Sequence, residues 1–374
     1  MNRSPSQSRT GFDSFSPQHT AHFKAAQPGG EFFEPKPRAS LGRRLLLALL
    51  LMTLITLAVN LAVNQFVRVA RVTVPIRRMD PAFEGYTLLQ ISDLKGATYG
   101  SNQALIRFAL QNEDFDAVVF TGDMVSSRGN AQPLYALIEM LRELKPDAPI
   151  YMIPGDKDPL PASMSYATGG SPFAPWVLGA KQRGGQLLSA PMQIERDGHT
   201  LWLTTSALLS LDMDTMQAQF ERQYLDALAD GDENAIELTT YNLQWLTETR
   251  NARAKMTDAD VYIALTHVPP ADEELESAYP GSLRERVHLV LCGHYQGGLI
   301  RLPFAGALFI PSQNLPLYGL LPGADTYFGL TRKGRTYLYV SPGLGGNDGL
   351  YPLPFFRLFN PPTVSLISLT TSSL

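Results

Sequence analysis

The sequence predicts an α/β domain whose strands converge on one rim, and three observations carry that prediction. Short, largely apolar runs recur at 88–91, 117–120, Ile150–Ile153, Val261–Leu265 and 287–291. Each stops at a short loop holding an acid or an imidazole: Asp93, Asp123, Asp156, His267 and His294 in turn. In an α/β sheet, ligands bind beyond the carboxyl ends of the strands, so this pattern marks a candidate site. Second, two helical patterns alternate with the first three runs. Residues 102–111 place Leu105, Ile106, Ala109 and Leu110 on one face behind Asn102 as a cap. Residues 133–144 do the same with Leu134, Leu137, Ile138 and Leu141, and Pro146 ends them. Strand and helix alternating over 86–153 require a parallel sheet with crossovers. Third, residues 186–195 and His199–Thr205 flank Arg196-Asp197-Gly198, a hairpin signal, so antiparallel pairing follows the parallel half.

The chain has 374 residues, enough for one sizeable core with ornaments or two smaller ones. A formal net charge of −4 and a pI near 5.9 argue against nucleic acid as a partner. The single cysteine, Cys292, excludes an internal disulfide and a cysteine-based zinc site. It closes an apolar strand and reads as a small buried hydrophobe.

Residues 1–40 are rich in Ser, Pro, Gln and Gly without an apolar period and read as a disordered tail. Residues 41–66 read as one transmembrane helix, with an apolar run at 45–63 that only Thr53, Thr56 and Asn60 interrupt. Such a run spans about 28 Å, close to the hydrocarbon thickness of a bilayer. A cleaved signal peptide would need a shorter apolar core nearer the start and a small-residue cleavage site. Basic residues balance across the helix, with Lys36, Arg38, Arg43 and Arg44 before it and Arg68, Arg71, Arg77 and Arg78 after. The cluster nearest the helix precedes it, and long domains translocate largely regardless of charge. The expectation is a single-pass cell-membrane protein whose domain, residues 67–374, is extracytoplasmic. Val67, Val69, Val72 and Val74 suggest a first strand directly after the helix. The following arginines either flank the helix end or each gain about 1 kcal/mol from anionic headgroups.

Residues 208–258 read as a helical insertion, with Tyr224, Leu225, Leu228, Leu243 and Leu246 as its apolar positions and Gly231-Asp232 as a break. It either covers a sheet or shapes a cleft. Strands resume at Val261, Val287, Leu299 and Tyr337, and residues 363–369 form the last.

Taken together, SDLKG, TGDM, PGDKD, LTHVPP and LCGHYQGG resemble the five signature loops of the calcineurin-like metallophosphoesterases: D-x-H, G-D, G-N-H-D, H and G-H-x-H. The resemblance runs over roughly residues 69–370 and includes the ending SPGLGG…LPFFRLFNPPTVSLISL. It points to the membrane-anchored bacterial branch, some of whose members act on phosphate esters of envelope glycolipids. It implies a four-layer αββα sandwich of two mixed β-sheets. It also implies two divalent ions of Mn, Fe or Zn bridged by a carboxylate, and a histidine acting on the leaving group.

The departures from that pattern fall on the site. Lys95 stands where the family has His, Asp156 where it has Asn, Lys157 where it has the catalytic His, and Gln296 where it has the last His. A protonated lysine has no lone pair for a metal. By the resemblance, the first metal would use Asp93, Lys95, Asp123 and Gln296, and that set is lost. The second would use Asp123, Asp156, His267 and His294, all able to bind. An ammonium group beside Asp93 and Asp123 is expected to occupy the space of the missing ion, with Lys95 and Lys157 as the substituted catalytic positions. Two readings stay open. One is a degenerate binding or regulatory pseudoenzyme with one divalent metal at most. The other is a one-metal hydrolase of a membrane-proximal phosphate ester, on a phosphorylated lipid or envelope ligand. For the hydrolase, Lys157 is badly matched as a general acid, because an unperturbed lysine near 10.4 lies far above neutral pH.

Other candidates read as structural. His288 opens a strand, His199 follows a hairpin turn, and His19 and His22 lie in the tail. Asp158 is expected to hold its turn, and Gly293, Gly297 and Gly298 to permit close approach or positive φ. Ser341-Pro342-Gly343 and Asn347-Asp348 occupy family loop positions without identifiable chemistry.

Overall fold

The computed structural model describes residues 40–126, 128–167, 171–209, 211–276, 283–302, 306–310, 320–323, 327–346 and 357–372. The tail expected over 1–40 and the pair Asn347-Asp348 therefore lie largely outside the described residues. One unit ends at Thr53 and another begins at Leu54, within a single helix, α1 (Leu41–Val63). The 23 residues of α1 span about 34 Å. That is long and apolar enough to cross a membrane or to act as a signal sequence. It stops three residues short of the expected 66, where Asn64, Gln65 and Phe66 make a turn.

From Leu54 onward, fourteen strands are described. The first sheet contains β1 (Arg68–Pro75), β2 (Thr87–Ile91), β3 (Ala117–Thr121), β4 (Ile150–Ile153), β5 (Gly185–Leu187) and β14 (Thr363–Thr370), in the order β1-β14-β2-β3-β4-β5. Strands β2 to β5 are mutually parallel, and β14 is parallel to β1 and antiparallel to β2. The second sheet contains β6 (Met192–Arg196), β7 (His199–Thr205), β8 (Val261–Leu265), β9 (Leu289–Cys292), β12 (Gly329–Lys333) and β13 (Thr336–Val340), in the order β12-β13-β9-β8-β7-β6. Its inner strands β7, β8, β9 and β13 are parallel and both edges antiparallel. A small ribbon, β10 (Ile300–Leu302) with β11 (Gly306–Phe309), lies apart.

Alternation along each strand explains the layering, because successive side chains leave opposite faces. Leu88, Val119 and Ile153 of the first sheet share a buried cluster with Leu203, Ile263, Leu265 and Leu291 of the second. The neighbours Leu89, Val118 and Met152 point the other way. They pack against α2 (Ala104–Leu110), α3 (Gln132–Leu144) and, through Trp176, a later short helix. That outer layer continues with α4 (Met164–Ala167) and α5 (Pro175–Gln182). Beyond the second sheet two smaller clusters form the cover, one of them Trp202 and Tyr262 with Ala252 and Met256 at the end of the helical insertion. Ala264, Val290 and Cys292 meet Leu209 of α6 (Ser206–Leu209) and Leu275 of α9 (Asp272–Glu276). The fold is thus α/β with two mixed six-stranded sheets face to face, as expected.

Four local expectations need correction. Residues 102–111 are not one helix capped by Asn102: a 3₁₀ turn, Ser101–Gln103, precedes α2, and Asn102 and Gln103 both have positive φ. Gln103 is buried, and its side chain bonds Tyr99 N and the Ala97 and Pro133 carbonyls, which fixes that kink. Residues 186–195 are not one strand, since β5 pairs in the first sheet and β6 in the second. Ser189-Ala190-Pro191 crosses between them, and Trp245 donates to the Ser189 carbonyl. The fifth strand of the rim, β9, starts at Leu289 rather than Val287, and β11 and β12 carry no pattern that announced them. In the insertion, α7 (Met213–Asp230) and α8 (Glu233–Lys255) break at Gly231-Asp232, but Leu225 and Leu228 face solvent.

Candidate metal centre

Every residue of the expected constellation stands at a strand end. Asp93 follows β2, Asp123 follows β3, Asp156 follows β4, His267 follows β8 and His294 follows β9. The two sheets therefore each contribute to one rim. Gln90 crosses between them, donating to Thr121 Oγ1 at 3.0 Å and to the Cys292 carbonyl at 2.9 Å. Asp93, Lys95, Asp123, His294 and Gln296 all have φ between 51° and 71°. That left-handed region is uncommon for residues with a Cβ and persists only where the surroundings enforce it. Here the enforcement is a set of backbone bonds. Lys95 N donates to Asp123 O at 2.8 Å, Asp93 N to Gly122 O at 3.0 Å and Gly345 N to Asp93 O at 2.6 Å.

Glycines let these loops approach. A Cβ on Gly155 would overlap Asp123 N and Oδ1, and one on Gly293 would overlap Ser92 Oγ. Gly297 and Gly298 have positive φ, as the sequence suggested.

Asp123 is buried at the centre. Its Oδ1 accepts from Lys157 N at 2.9 Å. Its Oδ2 has the Lys95 ammonium at 2.9 Å and His267 Nε2 at 3.3 Å. Lys95 itself is 4% exposed, so this ammonium–carboxylate pair lies inside the protein. Asp156 Oδ1 lies 3.0 Å from His267 Nε2 and 3.3 Å from His294 Nδ1. Its Oδ2 lies 3.0 Å from the Lys157 ammonium, whose side chain is more than half exposed. Lys95 is thus inside the cluster and Lys157 at its mouth.

His267 Nδ1 faces the Thr121 carbonyl at 2.9 Å, which can only accept, so Nδ1 carries the proton and Nε2 is aimed at the carboxylates. Burial would lower this imidazole, but hydrogen bonds to Asp123 and Asp156 reverse that and raise it well above its ordinary value. Burial alone would raise the Asp123 carboxyl; the His267 hydrogen bond and charge, with Lys95, bring it down to about 2. Asp156 is held well below the usual carboxylate range by hydrogen bonds from His267 and His294.

Two ligand sets emerge, each with its atoms within 4.8 Å of one another: Asp156, His267 and His294; and Asp93, Asp123 and His267. Carboxylate oxygens with imidazole nitrogens suit Mn, Fe or Zn. Both sets draw on His267, whose single available nitrogen cannot serve two ions. Asp93 Oδ2 accepts from Ser92 Oγ and His294 N, while its buried Oδ1 has no hydrogen-bond partner among the described residues. Gln296 is buried, with Oε1 likewise unpartnered. The residues thus fit one ion at the Asp156–His267–His294 end.

The remaining candidates sit elsewhere. Asp158 accepts from Val125 N at 2.7 Å and Gly155 N at 2.8 Å, tying two loops together. His288 Nδ1 accepts from Tyr262 N, and His199 pairs with Asp80. Cys292 is buried, its thiol near the Tyr339 carbonyl. Arg357, which the sequence reading passed over, is 1% exposed and contacts the backbone around the site. It donates to the carbonyls of Gln296, Pro342, Gly345 and Asn360 at 2.6–3.1 Å. An arginine inside the apolar string FFRLF was the available signal.

A family model described as Calcineurin-like phosphoesterase matches residues 86–296, more than half of the chain. The uncharacterized metallophosphoesterase YkuE of Bacillus subtilis (strain 168) is 26% identical over 268 residues, covering 70% of this chain and 73% of that protein. Among solved structures, phosphopantetheinyl hydrolase (PptH) from Mycobacterium tuberculosis matches at a TM-score of 0.34 and 11% identity, over 70% of this chain and 91% of that one. The protein TT1561 of Thermus thermophilus matches at a TM-score of 0.33 and 13% identity, over 70% of this chain and 90% of that one. The chain belongs to the calcineurin-like phosphoesterase family, whose members typically bind divalent metals.

Proposed function

We propose that this protein is a membrane-anchored phosphoesterase homologue with a degenerate site, holding one divalent metal at most and serving to bind a phosphate ester rather than turn it over. One observation carries the reading: the buried Lys95 ammonium lies 2.9 Å from the Asp123 carboxylate, which in the family pattern bridges two ions. Three carboxylates, Asp93, Asp123 and Asp156, face two ammonium groups, leaving one net negative charge before His267 is counted, and the carboxylates beside His267 favour its cation. A second dication has little to attract it. A metal at Asp156, His267 and His294 would polarise a phosphoryl oxygen and acidify a bound water. The chain's own groups would then position the ester. Lys157 at the mouth offers a mobile cation to phosphate oxygens, and Asp123 fixes the Lys157 backbone. The intact three-residue ligand set favours the second reading, a slow one-metal hydrolase of a membrane-proximal phosphate ester.

Metal analysis of the purified chain, beside aryl-phosphate hydrolysis with added manganese, separates the two. One bound metal or none with no turnover is expected; turnover abolished by His267→Ala would instead establish the hydrolase. The combined variant Lys95→His, Asp156→Asn, Lys157→His and Gln296→His should bind two metals and gain hydrolysis. Failure of that folded variant to bind a second metal would overturn the assignment. For the anchor, we expect α1 to be retained in the mature chain and the protein to stay in the membrane after an alkaline wash. An N-terminus beyond Val63 would make α1 a signal sequence.

A further inference from the structure

At the other end of the second sheet lies an open cleft of about 750 Å³, within the usual range for small-ligand sites. It is formed where β8 and β9 begin, whereas His267 and His294 stand where the same strands finish, so along β8 the two are about 20 Å apart. Five arginines line it: Arg77 and Arg78 from the turn after β1, Arg286 before β9, and Arg332 and Arg335 from the β12–β13 hairpin. Three acids, Asp258, Asp260 and Glu285, also line it, and each is already engaged. Asp258 pairs with Arg286 at 2.7 Å, and Asp260 accepts from Trp202 Nε1 and Thr257 N. Among the described residues, Arg77, Arg78 and Arg335 have no carboxylate at ion-pair distance, and Arg332 meets only the Gly334 carbonyl and the Tyr337 ring. His288 adds a donor at the wall. Its Nδ1 accepts from Tyr262 N, which leaves the proton of the neutral ring on Nε2.

Four guanidinium groups from two separate segments surround a concavity on a protein whose overall charge is −4. Five guanidinium groups against three carboxylates leave the cleft with an excess of positive charge, and such a concavity focuses its field and raises the local concentration of counter-ions. Guanidinium forks match phosphate oxygens two at a time, which lysines would not do. We infer that this cleft is a second ligand site, separate from the metal centre, that takes a phosphate-bearing anion together with part of the group carrying it. The phosphate can come from a lipid headgroup or from a free phosphate compound, and both present the same chemistry to the arginines.

The test uses the full chain in neutral detergent and follows arginine modification by phenylglyoxal, residue by residue, by mass spectrometry. Pyrophosphate, or phosphatidylglycerol mixed into the micelles, should slow modification of Arg77, Arg78, Arg332 and Arg335 at least threefold. Chloride and phosphatidylcholine should not, and exposed Arg222 on α7 should react unchanged throughout. Protection by pyrophosphate alone names a free phosphate compound, and protection by phosphatidylglycerol alone names a headgroup. Protection by neither, or equal protection of Arg222, overturns the inference. In titration calorimetry with the protecting anion on chelator-treated protein, Arg332→Gln with Arg335→Gln should weaken binding at least tenfold while Arg222→Gln on α7 leaves it unchanged. Unweakened binding by the double variant, or equal weakening by Arg222→Gln, would equally overturn the inference.

Discussion

Lys95 concentrates the energetics of the site in one side chain. Its ammonium neutralises a carboxylate that has almost no access to water, and removing one partner of a buried pair typically costs 3–5 kcal/mol. Lys95→Ala should lose about that much in chelator-treated protein, measured by denaturant unfolding. Manganese should restore a good part of it in the variant and much less in the wild type, because an ion can then take the vacated charge position. Asp123 gives a pH signature of the same pairing. A carboxyl at about 2 when folded and near 3.9 when unfolded contributes stability that is complete above pH 4. That contribution, of order 2 kcal/mol, is lost as pH falls through 2. The stability gap between wild type and Asp123→Asn, without metal, should therefore close between pH 4 and pH 2.

At the scale of elements, loops carry the strain and helix ends show ordinary chemistry. Gly231 closes α7 at φ 66° and Asp232 caps α8 by accepting from Ala235 N. Gly231→Ala and Asp232→Ala should each cost about 1 kcal/mol without altering metal content. The segment around Arg357 is different. Its guanidinium holds the Gln296 and Pro342–Gly345 backbones, and Asn60 of α1 accepts from Phe359 N and donates to the Arg357 carbonyl. Burial depresses Arg357 to about 10, so it remains charged at neutral pH. Arg357→Met leaves the buried carbonyls of Pro342, Gly345 and Asn360 without their donor, and a loss of more than about 3 kcal/mol is expected from thermal or denaturant unfolding. Metal binding should weaken with it, since Gly345 N supports the Asp93 backbone.

Across the whole molecule, the rim exists because two sheets stack with their parallel strands ending on the same side. The run-and-loop pattern made those strand ends legible: an apolar stretch of four or five residues specifies a buried strand, and an Asp or His just past its end, beside a Gly at Asp123, Asp156 and His294, marks the exit from it. Hence Asp93, Asp123, Asp156, His267 and His294 could be read as one group from spacing alone. The break between α7 and α8 and the limits of β7 were readable for the same local reason. What spacing could not show is which partner each strand takes. Residues 186–195 look uniform in one dimension, yet they divide between the sheets because pairing depends on edges made by distant strands. The kink at Asn102 and the burial of Arg357 depend on carbonyls many positions away. So do the sharing of His267 between two ligand sets and the gathering of Arg77, Arg78, Arg332 and Arg335 around one cleft. The sequence by itself determined the residue types and their places at strand ends, since local hydrophobic period and turn chemistry are short-range. Only the tertiary structure decided which charges touch, because distances between side chains on different strands are set by the packing of the two sheets.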